Sequence, residues 1–228
     1  EQKKIVEILE EQLSRLDAAL ASVRTIREKA AQFRRSLLHA AFTGALTGHD
    51  SLSGTLPEGW EEKTLGEVAK WGSGGTPKSV VKKYYGGDIP WTVIGDLTEG
   101  LVLETTQAIT QEGLDSSSAK IVNPGTVLLA MYGASIGRTG IAGTSMATNQ
   151  AIAFAIPDVR FLDNEFLLKF LQSQKQAFVK AGQGGAQPNI SQTMIKVWPV
   201  LVPPLAEQEK IVEILGEQLS HLDASLAV

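Results

Sequence analysis

The sequence begins and ends with two near-copies of one amphipathic segment. Residues 1–21 recur at residues 207–227 with four differences, and a match of this length does not arise by chance. The differing pairs are Lys3/Glu209, Glu10/Gly216, Arg15/His221 and Ala19/Ser225. None of these changes removes a large apolar side chain, so both copies keep the same apolar face. We interpret the repeat as an internally duplicated scaffold, of which this chain spans one unit and the start of the next.

The apolar side chains of the first copy follow the spacing of a coiled coil. Steps of three and four residues alternate, which places these side chains on one face of a helix that needs a partner helix. They are Val6, Leu9, Leu13, Leu16, Leu20 and Val23. We expect one helix of about 45 residues, ending near Gly44 to Gly48, where glycine can adopt the left-handed conformation that stops a helix.

The second copy carries the corresponding helix-pairing residues, which are Ile211, Leu215, Leu219 and Leu222. We expect this copy to fold back antiparallel and to cover residues 25–46 of the first helix. The apolar face from Val6 to Leu16 would then have no partner, and an exposed face of this kind favours self-association. The sequence therefore predicts a dimer or a higher oligomer.

Composition narrows the cellular setting and the kind of activity. The chain has no cysteine, which excludes thiolate catalysis and disulfides and favours a reducing compartment. The first residues do not resemble a signal peptide, and no apolar run reaches the ~18 residues of a membrane span. We therefore expect a cytoplasmic protein that does not enter a membrane. The net charge of −4 argues against a free-standing nucleic-acid binder, although residues 57–206 are almost neutral, with 12 basic and 13 acidic side chains.

The segment between the two copies has the pattern of a mixed domain. We divide the chain into a helix at 1–48, a linker at 49–56, a domain at 57–206 and a second helix at 207–228. Strand-like patterns occupy 65–71, 91–94, 101–106, 126–132 and 151–156. Residues 163–180 have the pattern of an amphipathic helix, with Asp163 or Asn164 as the N-cap.

These assignments predict an α+β fold. It consists of a mixed α/β globular domain flanked by long coiled-coil-forming helices that pack antiparallel. We place Trp71 and Trp91 in the core of the domain, because large aromatic side chains contribute most to burial there.

The candidate motifs for catalysis or metal binding each lack a required residue or spacing. Gly72–Ser79 approaches the phosphate-binding loop of nucleotide hydrolases, but Pro77 replaces the required glycine and offers no N–H group to a phosphate. His39, His49 and His221 lie at helical or linker positions without metal-ligand spacing, and we interpret them as ordinary surface residues. We therefore predict no catalytic residue, no metal and no cofactor.

Three loops of the domain carry side chains that suit contact with nucleic acid. Lysine suits phosphates, tyrosine suits the backbone or base edges, arginine reads guanine and amides read adenine. The DNA-binding candidates are Lys78, Lys82, Lys83, Tyr84, Tyr85, Arg138, Gln183, Gln187 and Asn189. Taken alone, the same loops are explained more simply as turns with solvated polar groups.

Several short motifs follow one another along the chain. They are Phe33–Thr47, Leu56–Trp60, Leu65–Val68, Asn149–Ile152, Gln187–Ser191 and Pro203–Val212. In their order and spacing they resemble the specificity subunit of type I restriction–modification systems, over nearly the whole chain.

The resemblance implies that the domain is a target-recognition domain and that the helices set the distance between two half-sites on double-stranded DNA. It also implies docking to methyltransferase (M) subunits and, through them, to restriction (R) subunits, which carry out methylation and cleavage. This chain would then be non-catalytic and would read one half of a bipartite target. The alternative is a structural adaptor that binds protein on a coiled-coil scaffold without reading DNA.

Overall fold

The computed structural model describes residues 1–49, 55–184 and 188–226. Within these ranges the chain forms seven α-helices and eleven β-strands. The helices are α1 (Gln2–Phe42), α2 (Leu65–Val68), α3 (Gln111–Asp115), α4 (Asn164–Ser173), α5 (Lys175–Ala181), α6 (Gln192–Lys196) and α7 (Leu205–Leu226). The strands are β1 (Glu61–Thr64), β2 (Ala69–Ser73), β3 (Tyr85–Thr92), β4 (Leu101–Val102), β5 (Ala108–Ile109), β6 (Lys120–Val122), β7 (Val127–Ala130), β8 (Thr139–Ala142), β9 (Met146–Thr148), β10 (Ile152–Pro157) and β11 (Pro199–Val202). Among the described residues, no helix is both long and apolar enough to cross a membrane.

The first element, α1, is a continuous helix of 41 residues. Its sequence is rich in alanine, leucine, glutamate and arginine, which have the highest helix propensities. The helix ends at Phe42, and Gly44 follows with a φ of 84°, a left-handed conformation that glycine adopts without steric cost. The long helix and its glycine stop are as predicted.

The last helix, α7, runs antiparallel to α1 and covers its C-terminal half. Glu207 at the start of α7 contacts Thr47 just beyond α1, and Asp223 near the end of α7 forms an ion pair with Arg34. The side chains of α7 that face α1 and the domain are Ile211, Leu215 and Leu219, which are buried, and Leu222, which is half-buried. The antiparallel packing of the two long helices agrees with the predicted fold class.

Three sheets form the body of the domain. The largest has five strands in the order β2-β10-β7-β8-β4, and the second has four in the order β5-β3-β9-β6. The third is the antiparallel pair of β1 and β11, in which Lys63 lies opposite Val200. This pair joins the beginning of the domain to its end, and so brings the adjoining ends of α1 and α7 together.

The main core lies between the five-stranded sheet, α4 and the adjoining ends of the two long helices. Phe42 of α1 packs edge-on against Phe166 and Phe170 of α4, with ring-centroid distances of 5.2 and 5.4 Å. Trp71 and Trp91 are 8% and 5% exposed, which confirms that both are core residues. Because Phe42 shares one hydrophobic cluster with residues of the domain, the C-terminal end of α1 is packed into the core of that domain.

The secondary structure near the start of the domain differs from the prediction because of a local helix cap. The predicted strand at 65–71 was wrong over its first half, because Leu65–Val68 form a helical turn. Glu67 caps this turn, because its carboxylate accepts both the backbone N–H and the hydroxyl of Thr64 at 2.7 Å. The strand begins only at Ala69.

Two further elements differ in extent from the prediction, because hydrophobic periodicity does not reveal where they end. The strand predicted at 101–106 is limited to Leu101–Val102. The helix predicted at 163–180 is interrupted at Gln174, which separates α4 from α5. Asp163 caps its start as predicted, because its carboxylate accepts the N–H group of Phe166.

Candidate nucleic-acid interface

A polar cleft lies where several loops meet at one end of the five-stranded sheet. Its volume is about 750 Å³. It is lined by Ser73, Met131, Tyr132, Gly133, Gln150, Pro188, Asn189, Ile190, Ser191 and Gln192. These residues end β2, follow β7, precede β10, and precede or begin α6, so the cleft is assembled from four separate parts of the chain. We call it the polar cleft.

Backbone hydrogen bonds hold two of its walls together. The N–H group of Gly133 donates to the carbonyl of Pro188 at 2.9 Å, and the N–H group of Ile190 donates to the carbonyl of Met131 at 2.9 Å. Tyr132 and Asn189 form an isolated antiparallel bridge. The loop after β7 and the segment before α6 therefore form one rigid wall, on which the Tyr132 side chain is 43% exposed.

Two glutamines of the cleft are held by hydroxyl groups. The Oε1 atom of Gln150 accepts the hydroxyl of Thr76, and the Nε2 atom of Gln192 donates to the Oγ atom of Ser73 at 2.8 Å. Within residues 1–49, 55–184 and 188–226, the other polar atom of each amide has no hydrogen-bond partner. Fixed amides of this kind can contact either base edges or the sugar–phosphate backbone of nucleic acid.

The glycines of the segment that resembled a nucleotide-binding loop allow the backbone to pack closely. Gly72 lies within β2, and a Cβ atom at Gly74 would lie 1.7 Å from the carbonyl oxygen of Thr148. The N–H group of Gly75 donates to that same oxygen at 3.0 Å. This contact anchors the stretch of chain that leads from the cleft to the lysine-rich segment.

The lysine-rich segment, residues 78–85, begins at the edge of the polar cleft. Lys78, Lys82 and Lys83 are exposed, whereas Tyr84 and Tyr85 are half-buried. Lys83 pairs with Glu112, and the hydrogen bond and charge of this carboxylate raise the pKa of Lys83. Lys78 and Lys82 have no ion-pair partner among the residues that the structure describes. Two cations are thus available for phosphates beside the cleft.

The aromatic residues of this segment contribute mainly to its shape. The hydroxyl of Tyr85 donates to the carbonyl of Pro77 at 2.6 Å, and its ring packs on Trp91 with a centroid distance of 5.9 Å. Tyr84 lies beside the ammonium group of Lys83. These contacts fix the path of the lysine-rich segment.

The remaining candidates lie in different surroundings. Arg138 is half-buried and its Nη2 atom donates to the carbonyl of Leu97 at 2.7 Å, so its guanidinium holds two loops together. Gln183 is exposed, and Asn189 lines the cleft and donates its N–H group to the carbonyl of Gly182, the residue before Gln183. Gln187 lies outside the described residues. Sequence reasoning did not select Tyr132, Gln150 and Gln192, because each is a single polar residue whose neighbours come from distant parts of the chain.

A second cluster of polar contacts fixes the helices to the domain. The carboxylate of Glu207 accepts hydrogen bonds from Thr47 and from the indole of Trp60, and it lies 3.0 Å from the Nε2 atom of His49. Burial opposes its charge, but the three hydrogen bonds outweigh burial and lower the pKa of Glu207. The interpretation of His49 as an ordinary surface residue was wrong, since its ring also packs against Trp60.

The sequence can be compared with known protein families. The sequence profile of the family described as "Type I restriction modification DNA specificity domain" matches residues 57–224. The chain belongs to this family. The match covers the whole folded domain and most of α7, and it confirms the resemblance drawn from the short motifs.

Individual members of the specificity-domain family extend the comparison. The chain is 26% identical over 222 residues to the EcoR124I/EcoR124II specificity subunit of Escherichia coli, covering 95% of this chain and 51% of the relative. It is 28% identical over 167 residues to the MjaIX specificity subunit of Methanocaldococcus jannaschii, covering 72% of this chain and 38% of that one. The chain therefore spans about half, or less, of the length of these relatives.

Solved structures show the same fold. The HsdS subunit from Thermoanaerobacter tengcongensis aligns with a TM-score of 0.63 at 24% identity, covering 99% of this chain and 52% of that chain. A chain from a structure of a type I R-M system aligns with a TM-score of 0.64 at 23% identity, covering 94% and 53%. The α+β domain with its long helices is therefore the fold of this family.

Proposed function

We propose that this chain recognises a specific sequence in double-stranded DNA, as part of a type I restriction–modification complex. The domain at 57–206 would read one half of a bipartite target, and the helices would hold it at a fixed distance from the other half. The observation that supports this proposal most strongly is the match of a DNA specificity domain to the whole of this domain.

The chemistry of the polar cleft and its rim fits contact with DNA. Lys78 and Lys82 can each neutralise a phosphate, which supplies affinity without sequence preference. Gln150, Gln192 and Asn189 carry amides, a group that can hydrogen-bond to base edges. The cleft therefore combines groups that position DNA with groups that can distinguish bases.

The partners of the chain follow from the same proposal. Its relatives are named as specificity subunits of type I restriction enzymes, and we infer that M subunits, and through them R subunits, assemble on this chain. Methylation and cleavage would belong to those subunits, so the chain itself would be non-catalytic. A domain with almost equal numbers of acidic and basic residues can then bind DNA, because the partners contribute to phosphate attraction.

Selection of bound sequences from a random double-stranded pool tests this function. The complex reconstituted with its M subunits should enrich one bipartite sequence. Exchanging residues 57–206 for the corresponding domain of a relative should change the half-site sequence that this domain reads. Enrichment of no sequence by the native complex would contradict the proposal.

A structural adaptor is the second candidate function, and the exposed apolar face of α1 favours it. An adaptor predicts that the assembled complex protects no DNA in footprinting. It also predicts that exchanging the domain at 57–206 alters protein partners instead of the DNA sequence. The same domain-exchange variants therefore distinguish the two functions.

A further inference from the structure

Two segments of the chain contain no acidic side chain and pack against each other. Residues 29–49 carry three lysines and arginines, residues 166–206 carry four lysines, and neither segment contains an aspartate or a glutamate. All 25 carboxylate side chains of the chain therefore lie outside these two segments. The first segment includes the C-terminal part of α1, and the second includes α5, α6 and most of α4. Their packing brings positive charges together within a chain whose net charge is −4.

The two acid-free segments line a groove of about 490 Å³, which we call the basic groove. Its lining includes the cationic side chains of Arg34, Arg35 and Lys175 together with hydroxyl and amide groups, and none of the described residues that line it is acidic. Arg34 pairs with Asp223, and Lys175 pairs with Glu99. Arg35 is exposed and has no ion-pair partner within the described ranges. A groove with cations and polar donors but no carboxylate suits the sugar–phosphate backbone of nucleic acid.

Helix α5 connects the basic groove to the polar cleft. Gln176 lines the groove, and Lys180 and Gln183 follow it at spacings of four and three residues, which places all three on one face of the helical segment. All three are exposed, and Lys180 has no ion-pair partner in the part of the chain that the structure describes. The carbonyl of Gly182 accepts the N–H group of Asn189, in the cleft wall, at 3.1 Å. A surface of amides and cations therefore runs from the cleft to the groove.

This surface and the lysine-rich segment leave the polar cleft on different sides. The lysine-rich segment follows β2, whereas α5 packs on the loop after β7, where a Cβ atom at Gly137 would lie 2.8 Å from the Cγ atom of Lys175. Strand β10 lies between β2 and β7, so these two strands are ~10 Å apart at the usual spacing of a sheet. The major groove of B-form DNA separates its two backbones by ~12 Å. Cations on the two sides of the cleft can therefore reach the two strands of one duplex.

We propose that α5 and the basic groove bind the backbone of one DNA strand, while the lysine-rich segment binds the backbone of the other. Lys180 contacts a phosphate beside the half-site, and Arg35 contacts a phosphate further along the same strand. The guanidinium of Arg35 suits this role, because it can donate two parallel hydrogen bonds to one phosphate. The inference rests on the proposed function, since it concerns the same DNA. Contacts to the backbone alone add affinity and fix the orientation of the duplex without sequence preference.

Uncharged phosphates placed one at a time in the target DNA test these contacts. The DNA is the sequence that the complex reconstituted with its M subunits selects, with single phosphates replaced by methylphosphonates. The native complex should lose affinity roughly fivefold to tenfold near 0.1 M salt where Lys180 binds the phosphate. The Lys180→Ala complex should bind the unmodified target that much more weakly and lose nothing further at this position. Lys82→Ala should identify a phosphate on the other strand in the same way, and Lys210→Ala should keep the native pattern at every position.

Arg35 provides an independent position in the same experiment. Arg35→Ala should remove sensitivity at a second phosphate, on the strand that Lys180 contacts. The inference is overturned if both variants keep the native pattern, or if the phosphates assigned to Lys180 and Lys82 lie on one strand. Loss of assembly with the M subunits by either variant, with an unchanged circular dichroism spectrum, would show that this surface binds protein instead of DNA. A native complex that selects no sequence contradicts the proposed function itself, before any variant is compared.

Discussion

At the residue scale, two polar side chains in the first turn of α7 join the parts of the chain. Gln208 is 0% exposed. Its Oε1 atom accepts the N–H group of Asp163, and its Nε2 atom donates to the carbonyls of Phe161 and Pro203, at 2.9, 2.7 and 2.8 Å. Its neighbour Glu207 binds the end of α1 and the start of the domain. These two residues therefore fix the direction in which α7 leaves the domain.

Replacing Gln208 with alanine should lower the free energy of unfolding by about 1–3 kcal/mol, because buried backbone groups lose their partners. The repeat offers a control in Gln2, which is the equivalent position of the first copy and is exposed. Gln2→Ala should change the free energy of unfolding by less than about 0.5 kcal/mol. Urea unfolding of both variants measures the difference, and equal losses would contradict the role given to Gln208.

Glu207 should make the free energy of unfolding depend on pH in the acidic range. Its pKa in the folded chain is lowered below the ordinary value of 4.5, so its charged form stabilises the fold above that pH. The contribution is lost as the pH falls through the lower, folded value. The gap in unfolding free energy between the native chain and Glu207→Gln should therefore narrow on acidification. The equivalent change Glu1→Gln is the control, and a gap that is constant with pH would exclude this role.

At the element scale, the long helices could be predicted from sequence and the short elements could not. A spacing of three and four residues persists over many turns of α1, so its period and its end at Gly44 are visible in the sequence. The turn Leu65–Val68 depends on one contact, in which the Glu67 carboxylate accepts hydrogen bonds from Thr64. A single capping pair leaves almost no periodic signal in the sequence. The apolar pattern of this segment was therefore interpreted as a strand, although its first half is a helical turn.

The packing of α1 on α4 should depend on Phe42. Its ring is 7% exposed and contacts two phenylalanines of α4, so Phe42→Ala should cost about 3–5 kcal/mol of stability through the cavity that it leaves. Phe33 lies on the same helix but is 49% exposed, and Phe33→Ala should have a much smaller effect. Thermal or urea unfolding of the pair checks this, and similar losses would show that α1 is not anchored by Phe42.

At the scale of the whole molecule, the candidate site was only partly visible in the sequence. The lysine-rich segment is continuous, so local composition was enough to select Lys78 and Lys82. The polar cleft instead joins segments near 73, 132, 150 and 190, which only the sheet order brings together. Arg138 illustrates the opposite case, because its loop looked available for bases while its guanidinium binds the carbonyl of Leu97.

The exposed lysines beside the cleft give a prediction for the assembled complex as a whole. If Lys78 and Lys82 each bind a phosphate, replacing both with alanine should weaken binding to target and non-target DNA alike. The slope of log affinity against log salt concentration should become shallower by ~0.9 for each phosphate that is no longer neutralised. Lys210→Ala, on the exposed surface of α7, removes the same charge away from the cleft and should leave the slope unchanged. Fluorescence anisotropy over a salt series measures both slopes. Equal slopes for the double variant and the native complex would place the DNA elsewhere on the domain, because a complex that neutralises fewer phosphates must release fewer counterions.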